Sequence, residues 1–370
     1  MPTLIQAMSQ KIIQACVVLW LILVCANSYA DGIRVNLIQA DTVQTNIVQT
    51  NTAQADVVAQ PTIANGMPAT PTQVPWQAAL YVENNDGDIA LICSATLINT
   101  KWLLTAAHCL NIKTLNNSLV AAHYVVVGTA DLDVSSTAQV YRVSNRIVHP
   151  DYDDDRNLDN DIALLELSEP VNLASCGSYC RVIPWLPSQQ ASVLSRIGAA
   201  AQIAGWGQIS ASNPTSNSDV DAVYPSRLQV GQSRIAACGI SSYSYNGRTW
   251  PLSSNMMCAS GSNLSKPADT CIGDSGSGLI VGLNQGQPYL AGITSWGEDK
   301  PCGMRALPSV YTRVSNYDDW ILSYVDPVAY AARLEQQKAA SASSGGGGSS
   351  SPFMVLGLLG LVMLRRRWVG

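Results

Sequence analysis

The stretch Asp269-Thr-Cys-Ile-Gly-Asp-Ser-Gly-Ser-Gly278 is the most informative part of this 370-residue chain. A nucleophilic serine needs backbone N–H groups that point at the oxyanion it creates, and glycine lets the backbone bend to supply them. Ser275 fits the nucleophile, and the N–H groups of Gly273 and Ser275 fit an oxyanion hole. A Gly- and Ser-rich turn without catalysis would explain the glycines, but not the flanking Asp and Cys residues.

The chain offers few bases for such a serine, because it contains only three histidines, His108, His123 and His149. A neutral imidazole accepts a proton from an alcohol near neutral pH and returns it to a leaving amine. His108 stands apart because Cys109 follows it and Cys93 lies upstream; a bridge between these cysteines would close a loop with the imidazole at its edge. We therefore predict His108 as the base and interpret His149 as structural.

A carboxylate is needed to fix the imidazole tautomer and to stabilise the imidazolium as it forms. Asp161 directly precedes the apolar residues 162–165, which predict a buried strand. The acidic residues that lie just before it, within 151–159, are typical of a solvated loop. We therefore predict Asp161 as the third catalytic group.

These motifs follow one another in the order His, Asp, Ser, as Thr105-Ala-Ala-His-Cys109, Asp161-Ile-Ala-Leu164 and Gly273-Asp-Ser-Gly-Ser-Gly278. They resemble the TAAHC, DIAL and GDSGGP motifs of the chymotrypsin-type, trypsin-like serine proteases, and the order matters because other triad folds use different ones. The resemblance covers about residues 63–325. It implies an all-β fold of two six-stranded antiparallel Greek-key barrels, with the active site between them and a C-terminal helix.

The same resemblance implies roles for residues around the nucleophile. Ser295, Trp296 and Gly297 would pair with the substrate backbone as an added antiparallel strand. Asp269 matches the acidic floor of the trypsin-type specificity pocket, which favours Arg or Lys at the cleaved position. Ser309 stands where the pocket wall usually has Gly, so its hydroxymethyl group should narrow the path to Asp269.

The resemblance also implies an activation step. Ile63-Ala-Asn-Gly66 matches the amino terminus of active family members. In those proteins the freed Ile amine pairs with the Asp before the nucleophile, here Asp274, and this ion pair organises the oxyanion hole. The intact chain is therefore expected to be a zymogen. Because Thr62 precedes the bond to be cut, instead of Arg or Lys, a separate activating protease is implied.

Ser277 departs from the family motif, which has Gly at this position. It falls on the strand predicted after the nucleophile turn, and its side chain is small. We expect activity to survive this change.

Eight of the ten cysteines lie after an N-terminal apolar run, and an even number downstream of an export signal predicts disulfides. The resemblance implies the pairs Cys93–Cys109, Cys238–Cys258 and Cys271–Cys302, and a local bridge is expected for Cys176 and Cys180. No His pair or second close Cys pair supports zinc there, and residues 128–142 contain no Glu for a calcium loop. We predict no metal and no cofactor.

The two ends of the chain predict processing segments outside the protease domain (63–325). Residues 1–30 fit a signal peptide, with small residues at its exit, and the loosely repetitive residues 31–62 suit a propeptide, although a spacer is equally compatible. A Ser/Gly-rich linker (326–351) precedes an apolar segment with an Arg cluster (352–370), which resembles GlyGly-CTERM sorting signals and the tails of secreted Vibrio-type trypsin-like proteases. It implies transient inner-membrane anchoring by sorting machinery, then secretion or attachment to the bacterial cell surface.

Composition limits the remaining partners. A net charge of −5 and 13% charged residues argue against nucleic acid. The resemblance implies protein or peptide substrates, and we predict a monomer. The alternatives are a catalytically silent protease-like binding protein at the cell surface and a membrane-resident adhesin, which rests on the tail alone.

Overall fold

A computed structural model of the chain describes residues 63–133, 137–153, 158–208, 224–245, 248–261, 268–298, 302–303 and 307–344. The predicted signal peptide, propeptide and sorting segment lie outside the described residues. Among the helices of the described part, none is long and apolar enough to cross a membrane.

The first half of the described chain forms a closed antiparallel barrel. A two-residue strand, β1 (Met67–Pro68), precedes it. Its strands are β2 (Gln77–Asn84), β3 (Ile89–Asn99), β4 (Trp102–Thr105), β5 (Thr114–Leu115), β6 (Ser118–Val127), β7 (Gln139–Val148) and β8 (Ala163–Leu167). Six of them follow the order β2-β3-β4-β8-β7-β6, and β6 pairs with β2 to close the barrel. Strand β5 extends β6 as a short hairpin.

The second half repeats this plan. Its strands are β9 (Ala200–Gly205), β10 (Gln229–Ala236), β13 (Met256–Gly261), β14 (Gly278–Val281), β15 (Tyr289–Trp296) and β16 (Ser309–Arg313). They follow the order β10-β13-β16-β15-β14-β9, and β9 pairs with β10 to close the barrel. Strand β1 adds to β10, and β11 (Ser242–Tyr245) with β12 (Arg248–Pro251) forms a separate hairpin. The predicted fold class, two six-stranded antiparallel barrels, is confirmed.

Helices connect and close the barrels. The α-helices are α1 (Leu173–Cys176), α2 (Ser188–Leu194), α3 (Asp318–Val325) and α4 (Pro327–Ser344). Single 3₁₀ turns occur at His108–Leu110, Gly177–Tyr179, Leu283–Gln285 and Val314–Tyr317. One apolar cluster fills the first barrel and reaches residues of the second, such as Ile293, and a separate cluster that includes Ile203 lies within the second barrel.

Helix α4 corrects the linker predicted at 326–351. No helix was predicted in this linker, but residues 327–344 form one, because this segment is rich in Ala, Leu, Glu, Gln and Lys, which favour helix, and begins with a proline at its first turn. Arg333 fixes the helix to α3 by donating to Asp318 (3.0 Å) and Asp319 (2.8 Å). Residues 345–351 of the predicted linker lie outside the described residues.

All eight cysteines of the protease domain are paired. The disulfides are Cys93–Cys109, Cys176–Cys180, Cys238–Cys258 and Cys271–Cys302. These are the pairs that the resemblance and the local-bridge expectation gave. The Cys176–Cys180 bridge packs against the backbone of Gly128, where a Cβ atom would lie 2.7 Å from the Cys176 sulfur.

His123 lies in β6 inside the first barrel and is 2% exposed. Its Nδ1 lies 3.0 Å from Nη1 of Arg146 on β7. Because a guanidinium only donates, Nδ1 accepts, which requires an imidazole without a proton on that nitrogen. Burial and the charge of Arg146 lower the pKa of His123 to about 4.

This buried pair predicts acid sensitivity. Between the ordinary histidine pKa of about 6.5 and the lowered value in the fold, the unfolded chain binds the extra proton, so the free energy of unfolding falls as the pH falls. We expect this dependence to be weaker in His123→Asn, which keeps an acceptor for Arg146 but does not titrate. Denaturant unfolding of both proteins across this range measures the difference, and parallel curves would contradict the assignment.

Candidate active site

The nucleophile turn between Cys271 and β14 owes its shape to two glycines. Gly273 has φ +94° and Gly276 has φ +81°, values in the region that L-residues with a side chain rarely adopt. A Cβ atom on Gly276 would lie 2.2 Å from the carbonyl oxygen of Ser94. The turn is closed by the N–H of Asp274 donating to Cys271 (3.0 Å), and it leaves Ser275 partly exposed.

The first barrel holds this turn in place beside His108. The N–H of Ser94 donates to the carbonyl oxygen of Ser275 (2.8 Å). The Cys93–Cys109 disulfide then joins the residue before Ser94 to the residue after His108. The backbone of the nucleophile and the residue that carries the imidazole are therefore attached to the same cross-linked pair.

His108 and Asp161 form a doubly hydrogen-bonded pair. Nδ1 of His108 lies 2.8 Å from Oδ2 of Asp161, and the His108 backbone N–H donates to Oδ1 at 2.9 Å. The side chain of His108 is 29% exposed, whereas that of Asp161 is fully buried. With Nδ1 occupied by the carboxylate, Nε2 is the nitrogen that remains for a reacting proton.

Two second-barrel residues complete the surroundings of Asp161. The hydroxyl of Ser295 donates to Oδ2 at 2.5 Å, and that of Thr312 donates to the backbone carbonyl of Asp161 at 2.7 Å. From the sequence, Ser295 was assigned to the substrate backbone only, and Thr312 was given no role. Thr312 lies in Val310-Tyr-Thr-Arg-Val314, a further segment that resembles the trypsin-like proteases, and this resemblance is the signal that could have pointed to it.

The pair perturbs both pKa values. Burial by itself lowers the pKa of His108, but the charge of Asp161 and its hydrogen bond outweigh burial, and the net pKa lies above its ordinary value. Burial by itself raises the pKa of Asp161, but the charge and hydrogen bonds of His108, together with the Ser295 bond, hold this pKa below its ordinary value. The carboxylate stays ionised and favours the imidazolium form.

Asp274 lies fully buried beneath the turn. Its Oδ1 accepts from the N–H of Gly207 and its Oδ2 from the N–H of Cys271, both at 2.8 Å. The carbonyl of Ile272 accepts from the N–H of Gln208 at 2.7 Å. Since the C=O and N–H of a trans peptide point in opposite directions, this bond fixes the direction of the Gly273 N–H. Gln208, which thereby orients the Gly273 N–H, was not assigned a role from the sequence.

Ile63 is 1% exposed and packs in the second barrel's core. Its neighbour Ala64 forms a β-bridge with Asp269, in which the N–H of Asp269 donates to the Ala64 carbonyl (3.0 Å). Ile63 has φ +40°, which is strained for a β-branched residue. The pairing of its amine with Asp274 stays a prediction.

Asp269 and Ser309 are in direct contact. The Ser309 hydroxyl donates to Oδ1 of Asp269 at 2.5 Å, and the N–H of Gly303 donates to Oδ2 at 3.0 Å. Asp269 is 8% exposed and Ser309 2% exposed. The Cys271–Cys302 disulfide holds the segment that carries Gly303 close to the nucleophile turn.

Trp296 and Gly297, at the end of β15, are both buried. Trp296 belongs to an apolar cluster with Trp250 and Met256, against which Leu158 packs. Leu158 lies three residues before Asp161 in the chain. Neither Leu158 nor Trp250 was singled out from the sequence, because neither belongs to a recognisable motif.

One group among the described residues brings three metal-binding atoms together, at Cys93, His108 and Cys109. Both sulfurs of this group are joined in a disulfide. No thiolate is therefore available there to bind a metal ion.

Comparison with known proteins finds one family whose sequence profile covers both barrels. The profile of the trypsin family matches residues 63–321. The chain belongs to the trypsin family. It is 34% identical over 261 residues to mouse transmembrane protease serine 11G, covering 70% of this chain and 55% of that protein. It is 32% identical over 267 residues to mouse kallikrein-8, covering 71% of this chain and 86% of the relative.

Human tissue-type plasminogen activator is 33% identical over 276 residues, which cover 72% of this chain and 45% of that protein. The chain thus spans about half the length of two of these trypsin-family relatives and most of the third. The family match at residues 63–321 includes both barrels and the site described above.

The His108–Asp161 pair generates a prediction for Asp161→Asn. The amide can donate to Nδ1 and so select the wrong imidazole tautomer, and we expect the activity of the activated protein to fall by roughly 10⁴-fold. The wild-type activity should also decline in acid at a pH above the ordinary histidine value, because the raised pKa protonates the base there. Peptide hydrolysis across pH measures both effects. Asp159→Asn, which removes a carboxylate two residues away, is the matched control; a similar loss in this control would contradict the assignment.

Proposed function

We propose that the chain is a serine endopeptidase that cuts peptide bonds after Arg or Lys through an acyl-enzyme. The observation that carries this proposal is the buried Asp161 carboxylate holding Nδ1 of His108 at 2.8 Å, beside a nucleophile turn whose Ser275 carbonyl is fixed by Ser94 at 2.8 Å. Membership of a protease family supports the same reaction class.

In the proposed reaction, Oγ of Ser275 attacks the scissile carbonyl carbon while Nε2 of His108 takes its proton. The N–H groups of Gly273 and Ser275 hold the oxyanion of the tetrahedral intermediate. His108 then gives the proton to the leaving amine, and a water molecule, activated in the same way, hydrolyses the ester. Asp161 keeps its negative charge throughout and stabilises the imidazolium.

Substrate binding is proposed to use two surfaces. The segment from Ser295 to Gly297 pairs with the substrate backbone as an added strand. Asp269 receives the basic side chain. The 2.5 Å bond from Ser309 occupies one side of this carboxylate, and the added hydroxymethyl group shortens the pocket. We propose that Ser309 sets the preference between the guanidinium of Arg and the ammonium of Lys, which differ in length and donor geometry.

We further propose that the chain is made as a zymogen and that a separate protease frees Ile63. The angle φ of Ile63 is defined by the carbonyl carbon of Thr62, so cutting this bond removes the constraint that places a β-branched residue at φ +40°. The new amine would pair with Asp274. The burial of Ile63 and the Ala64–Asp269 bridge support an amino terminus at this position.

The ends of the chain complete the proposal. A signal peptide (1–30) directs export, residues 31–62 act as the propeptide, and the segment 352–370 acts as a GlyGly-CTERM-type sorting signal. Transient anchoring in the inner membrane would be followed by secretion or attachment to the cell surface. Helix α4 would separate the barrels from that tail, since its 18 residues rise about 27 Å.

A catalytically silent binding protein is the alternative. It would have no need for the surroundings of Asp161, where a fully buried carboxylate is held by His108 and Ser295. A buried charge costs free energy unless it is paired. The enzyme reading is therefore the one that the site supports.

Specificity is the test of the proposed function. The activated enzyme should cut peptide libraries after Arg and Lys and should disfavour an uncharged residue such as Met by roughly 10⁴-fold, because Met brings no positive charge to the buried Asp269 carboxylate. Ser309→Gly removes one hydrogen bond and widens the pocket, and should change the Arg-to-Lys ratio of kcat/KM by about tenfold. Ser275→Ala is the negative control and should show no cleavage. A library profile without any basic preference would refute the specificity, and cleavage by Ser275→Ala would refute the mechanism.

The maturation proposal is tested on the protein isolated from its natural source. Amino-terminal sequencing should begin at Ile63, and mass spectrometry should find the carboxyl terminus near residues 345–351. Blocking the cut, by replacing Thr62 with Pro, should leave an inactive precursor of normal thermal stability. A mature chain that begins upstream of Ile63 and still cleaves substrate would show that no zymogen exists.

A further inference from the structure

Ser277, the position where the family motif has Gly, is buried completely between the nucleophile turn and β14. Its hydroxyl lies 2.8 Å from the hydroxyl of Thr294 on β15. The two residues also share a backbone bond, in which the N–H of Thr294 donates to the Ser277 carbonyl (2.8 Å). The adjacent N–H of Gly276 donates to the Thr294 carbonyl at 2.9 Å. Three hydrogen bonds therefore join the end of the nucleophile turn to one residue of β15.

Thr294 is next to a residue in direct contact with the Asp161 carboxylate. Ser295 follows Thr294, and its hydroxyl donates to Oδ2 of Asp161 at 2.5 Å. A continuous path thus runs from Ser275 through Ser277 and Thr294 to Ser295 and Asp161. The disulfide and Ser94 described above hold the turn from the first barrel, whereas this path holds it from the second.

The hydroxyl pair depends on both partners. Among the described residues, neither hydroxyl takes part in any other hydrogen bond. Thr294 is 5% exposed, so a glycine at position 277 would leave a hydroxyl without a partner in the core, which costs free energy. The serine at 277 is therefore matched to the threonine at 294, and the departure from the family motif is compensated within this chain.

We propose that Ser277 is a positioning residue, whose bond to Thr294 fixes the nucleophile turn relative to Asp161 and His108; this role rests on the proposed endopeptidase function. Loss of the bond leaves two of the three connections in place, so the fold persists. The turn then samples more positions, and the alignment of Ser275 with His108 is less often correct. Small misplacements of reacting groups have large effects on rate.

The test uses full-length protein with a protease site introduced before Ile63, so that cleavage frees this residue. The readout is the rate at which a fluorophosphonate labels Ser275, since this reaction needs the nucleophile, the base and the oxyanion hole but no particular pocket. Ser277→Ala and Thr294→Val should each slow labelling by about fivefold to tenfold. The double variant should be slowed about as much as either single variant, because all three proteins lack the same bond. Thermal unfolding of each protein is measured alongside.

Two controls separate positioning from stability. Ser233→Ala removes another buried second-barrel hydroxyl, which donates to the Ser260 carbonyl at 2.9 Å, and should lower thermal stability without slowing labelling. Thr294→Ser keeps the hydroxyl and should retain the wild-type rate even if Thr294→Val fails to fold.

The outcomes are distinct. Single variants that label at the wild-type rate, or a double variant slowed by the product of both single effects, would overturn the role of Ser277 alone. A folded, activated wild-type protein that is not labelled would overturn the proposed endopeptidase function and this role with it.

Discussion

The arrangement of the two barrels depends on one buried charge. Asp161 is fully buried, and an ionised carboxylate in such a place requires hydrogen-bond donors. First-barrel donors come from His108, through its ring and its backbone, and a second-barrel donor comes from Ser295. Thr312, also from the second barrel, holds the backbone of the same residue. Docking of the barrels therefore completes the set of hydrogen-bond donors around the Asp161 carboxylate. The same contacts orient the imidazole of His108.

The nucleophile is positioned by a different kind of contact. Its turn has little side-chain volume, so backbone bonds hold it, from Ser94 on one side and Thr294 on the other. Asp274 is likewise held by backbone N–H groups, of Gly207 and Cys271. His108 and Asp161 are thus placed largely by side chains, and the nucleophile largely by main chain. A turn held by its main chain can be rearranged without disturbing the His108–Asp161 pair. The proposed cut before Ile63 requires such a rearrangement.

The fold could be predicted from the sequence, and so could the contact between His108 and Asp161, because short motifs encode local turns whose chemistry is specific. Other contacts between residues far apart in the chain could not be predicted in this way. The bonds from Thr312 and Ser295 to Asp161 depend on how the barrels pack, which no local pattern records. Helix α4 was missed for another reason: the Gly and Ser residues after position 340 dominated the composition, while the helix-forming residues before them went unweighted.

Two serines stand where the family usually has glycine, and their contacts show what such a replacement does. Ser277 and Ser309 both stand at buried positions, and each hydroxyl has a partner, Thr294 in one case and Asp269 in the other. A hydroxyl introduced into a core without a partner is costly, so each replacement is coupled to a specific neighbour. The partners differ in kind, a neutral hydroxyl for Ser277 and a carboxylate for Ser309. Under the proposed roles, the replacement at 277 therefore acts on rate, and the replacement at 309 acts on substrate choice because it occupies part of the carboxylate that would bind the substrate.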